Sequence, residues 1–360
     1  MSGGVDSSVA AALLKERGLD VVGLTMKLHV LPGTGTVGVS DEKQRLGGEA
    51  ARRDAGRVAA VLGIPFHVAD FRRAFEREVV AEFVAEYARG RTPNPCLRCN
   101  RFVKFELLRR RAARLGAGRI ATGHYARIDF DEVRRRWRLL KAVDSEKDQS
   151  YFLYGLRQED LARTLFPLGG LCKTEVRKIA VKLGLPAAER PESQEICFVP
   201  GDDYAAFLRR RVPKAFRPGP IVDRAGRTIG RHEGFLHFTI GQRKGMGIAA
   251  AHPLYVVSLD AASNTVVAGP NEALFGKTLV ATDVNWVSIP GLEGPRRAEV
   301  KIRSRHEGAP ATLRPAGERA VAVEFDEPQR AITPGQAAVF YDGDSVLGGG
   351  LIWGRPKITY

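Results

Sequence analysis

The first half of the chain alternates short apolar runs with longer segments in which apolar residues recur at helical spacing. In chain order these segments are a strand over 21–26, a glycine-rich loop over 31–40, a helix over 49–62, a strand over 65–70, helices over 75–88 and 100–115, and a strand over 119–123. Strands that alternate with helices form parallel sheets, which bind ligands at the carboxyl ends of their strands. The pattern therefore predicts an α/β domain with a parallel sheet.

Beyond Phe198 the apolar runs shorten and Pro/Gly pairs become frequent. Short strands are predicted over 237–240, 254–257, 264–267, 298–303, 321–325 and 337–341. Regularly spaced short strands are typical of small β-rich domains and barrels. We therefore expect an α/β domain over 1–199, a central β-rich domain over 200–272 and a β-barrel-like domain over 273–360.

The first eight residues, MSGGVDSS, lead directly into the apolar-periodic segment 9–14. Gly3 and Gly4 carry no Cβ, so consecutive backbone N–H groups can converge on an anion at a helix N-terminus. The hydroxyls of Ser2, Ser7 and Ser8 add hydrogen-bond donors. No Lys follows the glycines, which excludes a Walker A loop. The alternative is a Gly/Ser-rich cap on an ordinary helix, since Ser and Asp are favoured there.

The chain's first residue already belongs to this loop. A phosphate loop of this kind follows the carboxyl end of a central strand, and a doubly wound sheet buries that strand on both faces. From the sequence we expect an in-frame upstream extension of ~6–12 residues, rich in Val, Ile and Ala.

Charge and apolar content bear on location and partners. Lys and Arg number 56 against 41 Asp and Glu, a net charge of +15, which is typical of a polyanion binder. Arginine runs such as 109–111 and 134–136 are alternatively solvated helix faces. No apolar run approaches the ~18 residues of a membrane span and no signal peptide is apparent, so a soluble cytoplasmic protein is expected.

Five further motifs follow the first loop in the chain. They are TPNPCLRCN at 92–100 with KF at 104–105, ATGHY at 121–125, KDQSYFL at 147–153, SQEICF at 193–198 and TIGQRKG at 239–245. The SGG-x-DSS loop resembles that of the ATP pyrophosphatase, or PP-loop, superfamily. Together with these motifs, in this order and along the full chain, it resembles the tRNA-specific 2-thiouridylases.

The resemblance implies thiolation at C2 of the wobble uridine of tRNA, with ATP converted to AMP and pyrophosphate. It implies that Cys197 carries a persulfide and that Cys99 is the nucleophile, so that a Cys99–Cys197 disulfide remains to be reduced. It implies ATP binding by Met1, Ser2, Gly3, Gly4, Val5, Asp6, Ser7, Ser8, Met26 and Gly123. Mg²⁺ is expected with the pyrophosphate, through Asp6 or water.

The resemblance also implies contacts with tRNA or its target base. These are assigned to Asn94, Pro95, Cys96, His124, Lys147, Asp148, Gln149, Arg303, Ser304 and Gln336. A sulfur donor, either a cysteine desulfurase or a sulfur-relay protein, is a second expected partner, and we expect a monomer. Each assignment has a simpler alternative, such as a core histidine, a core Met26 or a solvated turn.

The four cysteines allow more than one interpretation. Cys96 and Cys99 have the spacing of half a zinc site, but no second pair stands at suitable spacing, so no metal site is assigned. Cys172 matches no motif and is predicted to be structural. Cys96 stands where many members of the family carry Asp. Cys99 directly precedes a predicted helix, whose N-terminus would lower its pKa.

Two other classes of function remain open from the residues alone. A PP-loop ligase acting on a small molecule would not need paired redox cysteines or this positive charge. An RNA-binding module without catalysis would not need the SGG-x-DSS loop.

Overall fold

The structure is a computed structural model that describes residues 1–28, 48–185, 196–199, 201 and 203–354. The glycine-rich loop predicted over 31–40 and the motif positions 193–195 lie outside these residues, whereas Cys197 lies within them. The described chain divides into two compact units. Unit 1 comprises residues 1–80, 95–202 and 344–346, and unit 2 comprises 81–94, 203–343 and 347–360.

The first part of the chain contains most of the helices. In chain order the elements are α1 Val5–Glu16, β1 Gly23–Lys27, α2 Glu49–Leu62, β2 Phe66–Asp70, α3 Arg72–Phe75, a π-helical stretch Glu76–Val80, α4 Ala81–Ala88, α5 Pro95–Arg98, a second π-helical stretch Cys99–Leu107, α6 Leu108–Ala113, β3 Ile120–Ala121, β4 Arg127–Asp131, β5 Arg136–Leu140, α7 Ser150–Leu153, α8 Gln158–Leu161, β6 Thr164–Leu165 and α9 Lys173–Lys182. The predicted alternation of strand and helix is confirmed over 5–121.

The parallel pairing in unit 1 is confirmed, but it occurs in two separate pieces. Strand β1 pairs in parallel with β2, from Gly23 opposite Phe66 to Lys27 opposite Asp70. Strand β3 pairs in parallel with β6, with Ile120 opposite Thr164. No described strand connects the two pairs, so the described residues form two two-stranded sheets rather than one continuous sheet.

The core of unit 1 forms where helices α1, α2 and α9 meet. Val9 of α1, Val58 of α2 and Val176 of α9 are fully buried in one cluster. Helix α2 ends at Gly63, which has a left-handed φ of +58°, as the sequence predicts. The antiparallel hairpin of β4 and β5 was not predicted, because its alternating charged residues resemble a solvated helix face.

The later strands form the β-rich part of the chain. The elements are α10 Tyr204–Arg211, β7 Gly219–Val222, β8 Thr228–His232, β9 Tyr255–Asp260, β10 Thr265–Gly269, β11 Phe275–Trp286, β12 Arg296–Lys301, β13 Ala309–Pro315, β14 Val321–Arg330, β15 Ala337–Asp342 and β16 Ser345–Gly354, with 3₁₀ turns at Pro213–Ala215, Phe235–His237 and Asn271–Leu274. Strands β7 to β10 form a sheet of order β8-β7-β10-β9.

Strands β11 to β16 close into a six-stranded barrel. Their order is β11-β14-β13-β12-β15-β16, and β16 pairs back onto β11. The interior contains large buried side chains, among them Phe325, Phe340 and Leu313. The predicted barrel is therefore confirmed.

The strand predicted over 237–240 is wrong. A 3₁₀ turn at Phe235–His237 is followed by a second turn, in which Gly241 has a φ of +90°. The Gln242 side-chain oxygen accepts a hydrogen bond from the Thr239 backbone N–H at 3.0 Å. A local side-chain bond of this kind competes with strand pairing.

Candidate active site

The first loop has the geometry that its sequence predicts. Helix α1 begins at Val5, and Gly4 precedes it in an extended conformation. Gly3 has a left-handed φ of +74°, and a Cβ there would lie 2.6 Å from the Ala51 carbonyl oxygen. The Ser2 backbone N–H donates to the Ser7 hydroxyl at 3.0 Å. Glycine is therefore required at position 3, and the loop is held closed upon itself.

Gly123 allows the end of β3 to contact this loop. A Cβ on Gly123 would lie 2.6 Å from the Asp6 carbonyl carbon and 2.7 Å from the Ser7 backbone nitrogen. Any larger residue would push the loop away. The turn at Gly123, which follows the strand predicted over 119–123, is expected to face the same ligand as the loop because parallel strands bind ligands at their carboxyl ends, and the structure brings the two together.

A cavity of about 740 Å³ opens beside the loop. Of the residues predicted to bind ATP, tRNA or the target base, it is lined by Met1, Ser2, Asp6, Ser7, Met26, Gly123, His124 and Gln149. Its other walls are largely apolar, with side chains from α1, β1, α6 and β3. Ser8 is not among the lining residues, because it is fully buried and its hydroxyl donates to the Gly4 carbonyl at 2.9 Å.

Asp6 is bound by Lys173 and Tyr125, two residues to which the sequence assigned no role. The Lys173 ammonium donates to both Asp6 carboxylate oxygens, at 2.7 and 2.9 Å. The Tyr125 hydroxyl donates to Asp6 Oδ1 at 2.8 Å. Lys173 is only 8% exposed. Tyr125 stood in the ATGHY motif without an assigned role, and no motif pointed to Lys173.

The predicted helix start at Cys99 is wrong. Helical structure begins earlier, at Pro95 of α5, and continues through Cys99 into a π-helical stretch. Cys99 is buried, and this burial raises its pKa to about 11, although the charge of Lys104 acts to lower it. Desolvation outweighs nearby positive charge here, so the thiol is protonated near neutral pH. The prediction that a helix N-terminus lowers the pKa of Cys99 is therefore wrong.

The three cysteines of the motifs share one region of unit 1. Burial raises the pKa of the Cys197 thiol strongly, and the nearby Cys99 and Cys96 raise it further, whereas Lys104 lowers it. Burial likewise raises the pKa of Cys96, although its residue surface is exposed. None of the three cysteines is in a disulfide, and neither is Cys172.

Lys104 connects this region with the cavity. It lines the cavity, and its charge acts on Cys96, Cys99, Cys197 and His124. The sequence contained Lys104 only as part of the family frame that follows Cys99. The three thiols therefore lie within electrostatic range of a residue that lines the cavity.

His124 is a neutral group in the cavity wall. Desolvation, with a further contribution from Lys104, holds its pKa well below the usual value. The Thr122 hydroxyl lies 2.8 Å from Nδ1, and the ring packs near Phe105 and Phe166. Only a small part of the ring is thus open to a ligand, and it is uncharged near neutral pH.

The turn over 147–149 is held by its own side chains. Asp148 accepts hydrogen bonds from the Ala142 backbone N–H at 3.0 Å and from the Ser150 hydroxyl at 2.7 Å. Gln149 accepts one from the Tyr125 backbone N–H at 3.0 Å. Lys147 donates its backbone N–H to the Asp144 carbonyl at 3.2 Å. Asp148 and Gln149 therefore shape the wall next to Tyr125 in addition to any contact with RNA.

Of the remaining predicted tRNA residues, Pro95 belongs to unit 1, whereas Asn94, Arg303, Ser304 and Gln336 belong to unit 2. Arg303 and Ser304 are exposed in the turn after β12, where Arg303 donates to the Arg330 carbonyl at 3.2 Å. The Gln336 side chain donates to the Thr92 carbonyl at 2.7 Å, in the segment that also contains the half-buried Asn94. Gln336 thus anchors the motif that leads towards Cys96.

A phosphate-type loop on a parallel α/β unit, with a cavity at the strand ends, is the arrangement of the HUP class of α/β domains. Family models agree with this class. The tRNA methyl transferase HUP domain matches residues 1–201, the tRNA methyl transferase PRC-barrel domain matches 205–270, and the aminomethyltransferase beta-barrel domain matches 276–352.

Relatives with assigned names narrow the class further. The tRNA-specific 2-thiouridylase MnmA of Heliobacterium modesticaldum is 52% identical over 98% of this chain and 91% of its own length. That of Symbiobacterium thermophilum is 52% identical, over 98% and 90%. That of Geotalea uraniireducens is 50% identical, over 98% and 93%. The chain belongs to the family of tRNA-specific 2-thiouridylases.

Solved structures are more distant. NMN synthetase from Francisella tularensis is 18% identical and covers 57% of this chain and 68% of its own, with a TM-score of 0.32.

Proposed function

We propose that this protein is an ATP-dependent tRNA sulfurtransferase that thiolates C2 of the wobble uridine. The observation that carries the proposal is the position of Lys104, which lines the loop cavity and acts electrostatically on Cys99 and Cys197. The cavity proposed for the nucleotide and the cysteines proposed for sulfur transfer are therefore close together in unit 1. A ligase for a small molecule would not require this pairing.

ATP occupies the cavity in this proposal. A Cβ at Gly3 or Gly123 would clash with backbone atoms of Ala51 or Asp6, so glycine at both positions keeps the loop in the conformation in which phosphates can approach its backbone N–H groups. The α1 N-terminus favours their negative charge. Both Asp6 carboxylate oxygens accept hydrogen bonds from Lys173, so Mg²⁺, which would neutralise charge on the departing pyrophosphate, would be held through water. Adenylation of the uridine C2 oxygen then makes AMP the leaving group.

Sulfur arrives as a persulfide on Cys197. The Cys99 thiolate attacks the inner sulfur, which forms a Cys99–Cys197 disulfide and releases hydrosulfide. Hydrosulfide adds to the activated C2, and AMP leaves with the former C2 oxygen. An external dithiol reduces the disulfide and supplies the two electrons that restore both thiols. The raised pKa of Cys99 means that its thiol must lose a proton as it attacks.

The remaining assignments complete the proposal. tRNA contacts Asn94, Pro95, Cys96, His124 and residues 147–149 near the target base, and Arg303, Ser304 and Gln336 elsewhere. Among the described helices none has the length and apolarity to cross a membrane. We assign the protein to the cytoplasm as a monomer, with a cysteine desulfurase or sulfur-relay protein as its sulfur donor. The division at 199/200 and 272/273 stays part of this proposal.

Three omissions from one reaction test the function. Protein, ATP, unmodified tRNA, a persulfide-generating desulfurase with cysteine, and dithiothreitol are incubated together. Pyrophosphate and 2-thiouridine are measured, the latter by mass spectrometry of nucleosides. We expect both products in the full reaction, and no 2-thiouridine when ATP, tRNA or the desulfurase is left out. Pyrophosphate release that proceeds equally without tRNA would indicate a small-molecule ligase instead.

A further inference from the structure

The phosphate loop lacks the lysine that a Walker A loop contains, yet the structure provides a lysine there from a distant part of the chain. Lys173 lies 167 residues beyond Asp6 and forms a salt bridge with it at 2.7 Å. Asp6 stands in the first turn of α1, two residues after Gly4, and lines the cavity. The ammonium is therefore fixed at the edge of the loop.

The fold holds Lys173 in this place by several contacts. Lys173 is the first residue of α9, and its backbone N–H donates to the Asp144 carboxylate at 2.8 Å. The preceding Cys172 donates its backbone N–H to Glu175 at 2.7 Å, which caps the helix. Helix α9 packs on α1 through the buried Val176. The helix start is thus anchored on both sides of the lysine, and the side chain is directed to Asp6.

The opposite charges of Asp6 and Lys173 affect how well the loop can bind an anion. An ammonium that is 8% exposed requires a close anion, and Asp6 supplies it. Conversely, the Asp6 carboxylate without Lys173 would place a negative charge beside the loop that must accept polyphosphate. Like charges at short range in a poorly hydrated site repel strongly. The Tyr125 hydroxyl stabilises the carboxylate by a hydrogen bond but brings no compensating charge.

We propose that Lys173 is a positioning residue of the phosphate site, which neutralises Asp6 and holds its carboxylate so that the loop can accept a polyphosphate. The proposal rests on the proposed function, because it takes the loop to be the ATP phosphate site. It concerns the pyrophosphate half of the nucleotide and not the nucleoside half.

Pyrophosphate and adenosine represent the two halves of the nucleotide, so measuring the binding of each one tests the role of Lys173 at each half separately. Isothermal titration calorimetry is carried out on the full chain, on Lys173→Met and on Lys178→Met, an exposed lysine of the same helix. We expect Lys173→Met to weaken pyrophosphate binding tenfold or more, the size of effect that loss of a charged contact produces. Adenosine binding should change less than twofold, and Lys178→Met should behave as the wild type.

A double variant separates charge compensation from damage to the fold. Asp6→Asn with Lys173→Met removes both charges, and we expect it to bind pyrophosphate at least threefold more tightly than Lys173→Met alone. Lys173→Arg, which keeps the charge, should retain most of the binding. Equal loss of adenosine and pyrophosphate binding in Lys173→Met, or no recovery in the double variant, would overturn the proposal. A wild-type protein that binds neither ATP nor pyrophosphate would instead overturn the proposed function.

Discussion

In the proposed function Cys99 meets two opposing conditions, since it is shielded from water and must also become a thiolate. Burial raises its pKa to about 11, and Lys104 counteracts part of that rise. The balance places the thiol in its neutral form at physiological pH. Reaction at this residue should therefore be controlled by deprotonation rather than by access alone.

This balance predicts a steep pH dependence of Cys99 alkylation. Below the pKa the thiolate fraction rises about tenfold per pH unit, so alkylation by iodoacetamide should accelerate from pH 8 and level off near pH 11. Lys104→Met should slow alkylation at pH 9, because the charge that favours the thiolate is gone. Peptide mapping in a Cys96→Ser, Cys172→Ser background isolates the site. A midpoint below pH 8.5 would show that burial does not dominate.

Substitution of Cys96, Cys99 and Cys197 should affect 2-thiouridine formation to different extents. Cys99→Ser and Cys197→Ser should each abolish 2-thiouridine formation, since each removes one partner of the sulfur transfer. Cys96→Ser should leave a measurable fraction, and Cys96→Asp should restore most of what was lost, because a carboxylate moves protons near neutral pH better than this thiol. Nucleoside mass spectrometry measures the product.

Disulfide mapping of the oxidised enzyme is an independent check on the roles assigned to the cysteines. Non-reducing peptide mapping should find Cys99 joined to Cys197, and Cys172→Ser should keep full activity. A Cys96–Cys197 bond as the sole disulfide, with an active Cys99→Ser variant, would reverse the roles of Cys96 and Cys99.

Among the secondary-structure elements, the end of β3 and the start of α1 approach each other closely. Their backbones meet at Gly123, where a Cβ would lie 2.6 Å from backbone atoms of Asp6. Overpacking of this kind costs about 1–3 kcal/mol or shifts the backbone. The loop geometry is therefore set partly by a glycine more than a hundred residues away.

Gly123→Ala should weaken ATP binding by about tenfold or more, because the loop must move away from its present position. Gly118→Ala is the matched control, since Gly118 also lines the cavity but has nothing within 4 Å of its Cβ position. Calorimetry with ATP measures binding, and thermal unfolding reports the stability of both variants. Equal ATP affinity in the two variants would show that the loop does not need this close approach.

Across the complete chain, the net charge of +15 is large enough to influence binding of a polyanion. Exposed arginines such as Arg303 in unit 2 add to it. Counterion release from RNA makes affinity fall with salt in proportion to the phosphates contacted. ATP binding in a largely apolar cavity involves far fewer such contacts.

We expect the logarithm of tRNA affinity to fall steeply with the logarithm of salt concentration, whereas ATP affinity should change much less. Arg303→Glu should weaken tRNA binding and reduce the salt slope without altering ATP binding. Lys277→Glu, an exposed reversal of the same charge on β11, should have a smaller effect. Filter binding and calorimetry supply the two affinities. Equal losses of tRNA and ATP binding by Arg303→Glu would indicate misfolding.

The features that could be predicted from the sequence are those set over short distances along the chain. The SGG-x-DSS loop leads into a helix at Val5 as its residues predict, and the apolar periods mark most of the described helices and strands. The order of the motifs identified the family, because the residues that form each motif lie within a few positions of one another in the sequence. The predicted strand over 237–240 failed where a local side-chain hydrogen bond outweighed the apolar pattern.

Contacts between distant residues could not be predicted in this way. Asp6 meets Tyr125 across 119 residues and Lys173 across 167, and no local pattern encodes either pairing. The pKa of Cys99 moved opposite to expectation, because desolvation comes from every element packed around the thiol, whereas the sequence shows only its immediate neighbours. Electrostatics and burial are properties of the assembled core, so only the folded arrangement determines them.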